Sequence, residues 1–383
     1  MHRRLQQGHP WVYSNEVDMD PATKALPPGS VVTVTDAGGT LLATAHFNPR
    51  TLISARVLAW EGDAGIDESF VATRLKEALH LRTRLFDRPY YRLVHAEADG
   101  LPGLIVDRFG DVCVIQPNTA GMNAMSDIIA GALKDVVGAT AVILRGDNMA
   151  RTLEGLDEEV RLLAGEVGAP VKVEENDATF FADPLSGQKT GWFFDQRDNH
   201  AFMAGLSKGQ TVLDLYTHTG GFAIPAAKNG AKIVLGVDRS APAVELANKA
   251  AEASGVSKTC AFEKAEVFPF LEAALARKQT WDVVICDPPA FVKSRKDLKV
   301  GLQGYRKLAR LCASVTAPGG LLFMASCSHN ASVEDFTAAV ARGVSDANRS
   351  GKIIRTAGAA PDHPVHPQLP ESAYLKAVVL QLD

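Results

Sequence analysis

Thr211-Val-Leu-Asp-Leu-Tyr-Thr-His-Thr-Gly-Gly-Phe-Ala-Ile-Pro-Ala-Ala227 decides the fold. A short apolar run is broken by a small-residue, glycine-containing turn, and a helical pattern follows from Phe222. The reading is strand, glycine turn, helix. A second apolar run, Ile233 to Val237, ends at Asp238, 18 residues beyond Gly220. A carboxylate at that remove from a glycine turn suits hydrogen bonding to ribose hydroxyls. Gly220 and Gly221, lacking a Cβ, are expected to let the backbone approach a ligand closely. Tyr216 and His218 stand where a G-x-G-x-x-G fingerprint requires glycine, so a pyrophosphate fits poorly. An adenosyl ligand without a diphosphate fits better.

Two further strand ends extend the pattern towards the carboxyl terminus. Trp281-Asp-Val-Val-Ile-Cys286 runs into Asp287-Pro-Pro-Ala-Phe291, where consecutive prolines stiffen the turn and end any ladder. Asp287 on such a turn can accept from a planar amine edge, and Phe291 can stack on a ring. Ala317-Pro-Gly-Gly320 then turns a helix over 302–315 into a strand that ends at Cys327. In a doubly wound sheet, ligands sit outside the carboxyl ends of the strands, so Asp214, Asp238, Asp287 and Cys327 are expected to converge. Taken one at a time, each has a plainer reading: a capping acid for Asp214, a proline stop at Asp287, a buried inert thiol at Cys327. The order of all four favours one site.

Composition bounds the setting. With 383 residues and 46% hydrophobic content, the expectation is two to three domains with their own cores. No apolar run reaches the roughly 18 residues of a membrane span, and Met1-His-Arg-Arg-Leu-Gln-Gln7 lacks the apolar stretch of a secretory signal. The five cysteines form no C-x-x-C pair, which argues for reduced thiols and against structural zinc, and points to the cytoplasm. Cys286 precedes Asp287 on the strand and is expected to face away from the site; Cys113, Cys260 and Cys312 have no assigned role. The net charge of −4 gives no overall bias towards nucleic acid. Locally the balance differs: between Lys293 and Arg310, seven basic residues (Lys293, Arg295, Lys296, Lys299, Arg306, Lys307, Arg310) face one acid, Asp297. The cluster suits phosphate contacts beside the Asp-Pro-Pro turn, or else a solvated helix face.

Three regions are expected. Residues 1–64 carry short alternating runs such as Ser30-Val-Val-Thr-Val-Thr35 and read as a small β module, with Glu61-Gly-Asp-Ala-Gly65 as linker. Residues 65–170 read as an α+β domain: a helix capped by Asp67 and running to Phe86, two strands flanking Gly110-Asp111, a helix over 122–137, and Ala141-Val-Ile-Leu144 closing the sheet. Residues 171–383 alternate strands and helices as a parallel α/β sheet does, and Tyr374 to Leu380 supplies the last strand.

Tyr216-Thr-His-Thr-Gly-Gly-Phe222, Asp287-Pro-Pro-Ala-Phe291 and Ser326-Cys-Ser-His329 resemble the large-subunit ribosomal RNA 5-methylcytosine methyltransferase I family. The likeness extends to Gly8-His-Pro-Trp-Val-Tyr-Ser14 and Leu42 to Arg50, similar to that family's PUA RNA-binding module. It also takes in Asp99 to Asp111 of the middle domain and Lys189-Thr-Gly-Trp-Phe-Phe-Asp-Gln-Arg-Asp198 at the entry to the methyltransferase domain. The resemblance implies a class I methyltransferase doubly wound sheet, preceded by a small β-barrel PUA-like module and the α+β domain. It implies S-adenosylmethionine as cofactor, held by Asp214, Tyr216, Gly220, Asp238, Gln196, Arg197 and, reaching the adenine amine, Glu266. It further implies 23S ribosomal RNA as substrate, presented as free RNA, with Pro288, Pro289, Phe291, Lys293 and Arg295 on the substrate side. Neither a membrane nor a metal is expected as partner, and a homodimer is one of the assemblies left open. The chain begins only a few residues before Gly8, where members of that family usually carry a further strand's worth of sequence, so the expectation is that either the module's first strand is missing or the start is misassigned.

Cytosine C5 is too weak a nucleophile to attack a sulfonium methyl unaided. A Cys327 thiolate adding at C6 would supply the electron density, and Asp287 would hold the N3/N4 edge of a flipped base. His329 is the candidate for activating the thiol. Two other classes compete: methylation of an exocyclic purine amine, which needs no thiol, and a non-catalytic RNA-binding or assembly factor.

Overall fold

The computed structural model describes residues 3–60, 62–168, 170–187 and 189–383. Met1 and His2, and Glu61 of the expected linker, lie outside the described residues. The chain divides into two compact units: Met1–Val171 with Asp183–Trp192 and Pro361–Pro370, and Lys172–Ala182 with Phe193–Ala360 and Glu371–Asp383.

The first unit holds two sheets. β1 (Trp11–Tyr13), β2 (Ser30–Thr35), β3 (Leu41–Phe47) and β4 (Ile53–Ala59) form an antiparallel sheet in the order β1-β4-β3-β2. Among the described residues ahead of Gly8, Arg3–Gln6 form a short helix, and β1 is the first strand described. Ala45, Phe47 and Ala55 are buried between β3 and β4, as the alternating pattern requires. The second sheet runs β5 (Tyr90–His95), β6 (Leu104–Phe109), β7 (Val112–Pro117), β8 (Ala141–Arg145), β9 (Val160–Ala164) in chain order. Against it pack the helix Glu68–Leu85, capped by Asp67 through the Phe70 N–H, and Ser126–Val137. Two expectations need correction here. Ala141–Arg145 does not close the sheet, because β9 adds antiparallel to it; Val160-Arg-Leu-Leu-Ala164 is largely exposed and lacks the burial pattern that marks an inner strand. The helix expected over 122–137 is two: Ala120–Ala124, capped by Thr119, and Ser126–Val137, with Met125 leaving helical geometry between them.

The second unit carries a hairpin, β10 (Val171–Glu175) with β11 (Ala178–Ala182), and a seven-stranded sheet. The sheet strands are β12 (Thr211–Leu215), β13 (Ile233–Asp238), β14 (Cys260–Lys264), β15 (Trp281–Cys286), β16 (Thr316–Ser326), β17 (Gly351–Ala357) and β18 (Lys376–Leu382), in the order β14-β13-β12-β15-β16-β18-β17. All neighbours from β14 to β16 are parallel; β18 is antiparallel to both β16 and β17. The chain winds from β12 outwards to β14 and returns to β15, so the order reverses between β12 and β15 and opens a crevice at their carboxyl ends. The last strand begins at Lys376 rather than Tyr374, and the helix before β16 spans Leu298–Val315, four residues longer at its start than expected. Leu308, Leu311, Cys312 and Val315 on that helix, with Phe336 and Val340 of the helix Val333–Asp346, bury one face of the sheet. Among the described residues no helix is long and apolar enough to cross a membrane.

Candidate active site

The turn after β12 is held by its own first acid. Asp214, 1% exposed, accepts from the Thr217 hydroxyl at 2.5 Å and the Ala223 N–H at 3.0 Å through one oxygen, Oδ2. Its other oxygen, Oδ1, is buried and has no hydrogen-bond partner among the described residues. Burial pushes this carboxyl up to about 7. An acceptor in that state is suited to a cation or N–H brought by a ligand.

Tyr216 (φ +61°), His218 (φ +50°) and Gly220 (φ +89°) all lie in the left-handed region, where non-glycine residues are uncommon and tend to cluster at functional sites. Protein packing by itself already requires the two glycines. A Cβ on Gly220 would meet Ile224 Cδ1 at 2.8 Å, and one on Gly221 would meet the His200 ring at 2.8 Å, so protein packing already fills both spaces. The Tyr216 ring joins the core below the turn, where burial raises its hydroxyl well above the usual tyrosine range. The His218 ring meets Phe193 edge-on at 5.0 Å.

Asp238, half-buried at the end of β13, accepts from the His218 N–H at 3.0 Å and the Ser240 N–H at 2.8 Å, one on each oxygen. These bonds fix the carboxylate, and each oxygen keeps a lone pair for a further donor. Glu266 is exposed past the end of β14, at the start of the helix Val267–Ala276. Gln196 is buried and acts as a brace: its Nε2 donates to Asp287 at 2.8 Å while its Oε1 accepts from Asn199 at 2.7 Å. Arg197 lies 3.6 Å from Glu175 and over the Phe194 ring at 5.6 Å, and Glu175 also meets the buried His200 ring at 2.7 Å.

On the far side of the crevice, Pro288 is buried and Pro289 exposed, and the Asp287 N–H reaches back to the Leu215 carbonyl at 3.4 Å. The Phe291 ring lies against Tyr305 at 4.7 Å, so one of its faces is covered by protein. The Tyr305 hydroxyl, on the helix Leu298–Val315, draws the two loops together. It takes the Phe291 N–H at 3.3 Å and the Ser326 hydroxyl at 2.8 Å, and meets the Ser328 hydroxyl at 2.8 Å; Ser328 in turn takes the Val292 N–H at 3.1 Å. Burial raises the Tyr305 hydroxyl above its ordinary range, which keeps it a neutral bridge. Cys327 is suspended between those two buried serines.

All five cysteines are free thiols; Cys113, Cys260, Cys286 and Cys312 are buried, and Cys327 alone is partly accessible. Burial pushes Cys113 and Cys260 up to about 12 and holds Cys286 well above the ordinary thiol range, its neighbour Cys312 adding to the effect. Cys286 sits in the helix-covered core. Of the basic cluster, Arg306 pairs with Asp346 and Lys307 with Glu272 on the surface. Lys293, Arg295, Lys296 and Lys299 are exposed and form no ion pair among the described residues. Two members of the site gave no sequence signal: Tyr305, which reads as one more apolar position on an amphipathic helix, and Lys376, a lone cation in a strand that is otherwise apolar but for Gln381.

Comparison with known proteins shows the family. Residues 2–60 match the PUA-like domain family, and residues 150–381 match the S-adenosylmethionine-dependent methyltransferase family. Ribosomal RNA large subunit methyltransferase I of Aeromonas hydrophila is 34% identical over 99% of this chain and 96% of its own length. The protein of the same name from Photobacterium profundum is 36% identical over 98% and 95%. Among solved structures, a candidate methyltransferase in complex with SAH superposes with a TM-score of 0.84 at 20% identity, covering 99% of this chain and 97% of that one. A candidate S-adenosylmethionine-dependent methyltransferase from Streptococcus mutans gives 0.82 over the same shares. At that identity the likeness shows the fold, a class I methyltransferase sheet with a PUA-like module ahead of it.

Proposed function

The chain belongs to the ribosomal RNA large subunit methyltransferase I family, and from that premise we propose that it methylates C5 of a cytosine in 23S ribosomal RNA through a covalent Cys327 adduct. The observation that carries the cytosine assignment is the placing of Cys327. It is the one partly accessible thiol of five, held between two anchored serines at the carboxyl end of β16, beside the strand that runs into Asp287. Transfer to an exocyclic amine would need no nucleophile there.

S-adenosylmethionine supplies an electrophilic methyl group on sulfonium. The donor set fits it: the unpartnered Oδ1 of Asp214 suits the ammonium of the methionine moiety, Asp238 the ribose hydroxyls, and Glu266 the adenine amine. Gln196 would act on the substrate side, by steadying Asp287. The Cys327 sulfur would add to C6 and push the C5–C6 π pair onto C5, which would take the methyl carbon as the carbon–sulfonium bond breaks and S-adenosylhomocysteine leaves. A base then removes the C5 proton, the C5–C6 double bond re-forms, and the C6–S bond breaks to release the thiolate. Asp287, held by Gln196, would grip the N3/N4 edge through the adduct. The PUA-like module and the exposed Lys293, Arg295, Lys296 and Lys299 would contact RNA phosphates. A cytoplasmic location follows from such a substrate.

Mass spectrometry of nucleosides from unmodified large-subunit RNA, incubated with the protein and labelled S-adenosylmethionine, tests the reading: label is expected in 5-methylcytosine. Label in an N-methylated purine, or none while RNA still binds, would overturn it.

The raised Asp214 carboxyl gives the cofactor side its own check. Below about 7 the group is protonated and no longer attracts an ammonium, so affinity for S-adenosylhomocysteine is expected to weaken by up to about tenfold per pH unit. Calorimetric titrations between pH 5 and 8 should show that slope for the natural protein and a flat profile for Asp214→Asn.

A further inference from the structure

Lys376 opens β18, directly across from Ser326 in the antiparallel ladder with β16, and is 4% exposed. The rest of β18, Ala377 to Leu380, is buried and apolar, the setting in which a methionine or leucine would ordinarily stand. Its ammonium donates to the Ser328 carbonyl at 2.5 Å and the Ala331 carbonyl at 2.8 Å, the two ends of the turn that follows Cys327. An ammonium has three N–H donors. Two are used, the third has no acceptor among the described residues, and no carboxylate pairs with the charge. A buried cation without a counter-ion is costly. Burial lowers Lys376 below the ordinary lysine range, and the charge that acts in the other direction is that of Cys327.

Besides Lys376, the titratable groups bordering the turn are Tyr305, Asp287, His329 and the exposed Lys293, whose backbone carbonyl takes the Asn330 side-chain amide at 3.2 Å. Tyr305, from the helix Leu298–Val315, is a neutral bridge. Asp287, on the neighbouring strand end, is an acid tied to Gln196. His329 is exposed, with its ring against Tyr374 at 5.1 Å.

We propose that Lys376 is the positioning residue for Cys327: it ties down the 327–331 turn and supplies the positive charge that holds the thiol as thiolate. This rests on the reading of Cys327 as nucleophile, but it is measurable without RNA or methyl transfer. The probe is the rate of iodoacetamide alkylation of the folded chain as a function of pH, followed by mass spectrometry of the Cys327 peptide. The four buried cysteines serve as unreactive references. In the natural protein the Cys327 profile is expected to have its midpoint about one unit or more below the roughly 8.5 of a free cysteine. Lys376→Met is expected to move that midpoint up by about a unit or more, and Lys376→Arg to restore most of the shift. A natural midpoint at or above about 8.5 overturns the proposal even if Lys376→Met does not fold, as does a Lys376→Met profile that coincides with the natural one. A low midpoint that rises in Lys376→Met, in a protein that transfers no methyl group to cytosine, would uphold the Lys376 assignment and reject the cytosine reading.

Discussion

Cys327→Ala is expected to reduce 5-methylcytosine formation by on the order of 10⁴-fold or more, as other enzymes do when they lose a nucleophile, while leaving S-adenosylhomocysteine affinity within about twofold. The two effects should separate because the groups proposed to hold the cofactor lie at the ends of β12, β13 and β14, and the thiol lies at the end of β16. A trapped intermediate gives the same prediction a positive readout. With RNA carrying 5-fluorocytosine at the target, C5 accepts the methyl group but then has no proton to lose, so the C6–S bond cannot break by elimination. A protein–RNA adduct that survives denaturing electrophoresis is expected with the natural chain and not with Cys327→Ala. If Cys327→Ala kept its methyl transfer, the thiol would have no covalent role, and exocyclic-amine chemistry would become the better reading.

Asp238→Ala is expected to weaken S-adenosylhomocysteine binding by on the order of 10²- to 10⁴-fold. Two charge-assisted bonds to ribose hydroxyls are lost, each worth about 1.5–3 kcal/mol. Some of the cost falls on the protein itself, since the His218 and Ser240 N–H groups lose their acceptor and the left-handed stretch between Tyr216 and Gly220 loses its outer tether. Asp238→Asn keeps one acceptor oxygen and should fall between the two. Calorimetry reads the affinity, and thermal unfolding separates the tether from the ribose contact. An Asp238→Ala protein that binds the cofactor as tightly as the natural chain would remove this strand end from the cofactor site.

Much of this site was legible in the sequence because its acids stand at strand ends, and strand ends are local signals. A run such as Val212-Leu-Asp-Leu215 and the turn after it identify the position of Asp214 without any long-range knowledge, and the same holds for Asp238, Asp287 and Cys327. Contacts between distant segments were not legible. Lys376 lies close to Cys327 only because β18 inserts antiparallel beside β16 with Ser326 as its register partner, a pairing of residues about fifty positions apart. Tyr305 shows the helical period whether or not its hydroxyl is used. At Gly220 and Gly221 the structure adds a packing reason to the one read from the sequence: a Cβ there would meet Ile224 and His200. The edge strand β9 was missed because three of its five residues are exposed, so no burial period marks it.

The hydroxyl of Tyr305 is shared by the Phe291 backbone and by the serines on either side of Cys327. Two loops pinned to one atom do not fluctuate independently. A shared pivot of this kind is expected to make the proline-stiffened loop and the sulfur move together, so that the spacing between the groups proposed to grip the base and the atom proposed to attack it is kept without either loop being rigid.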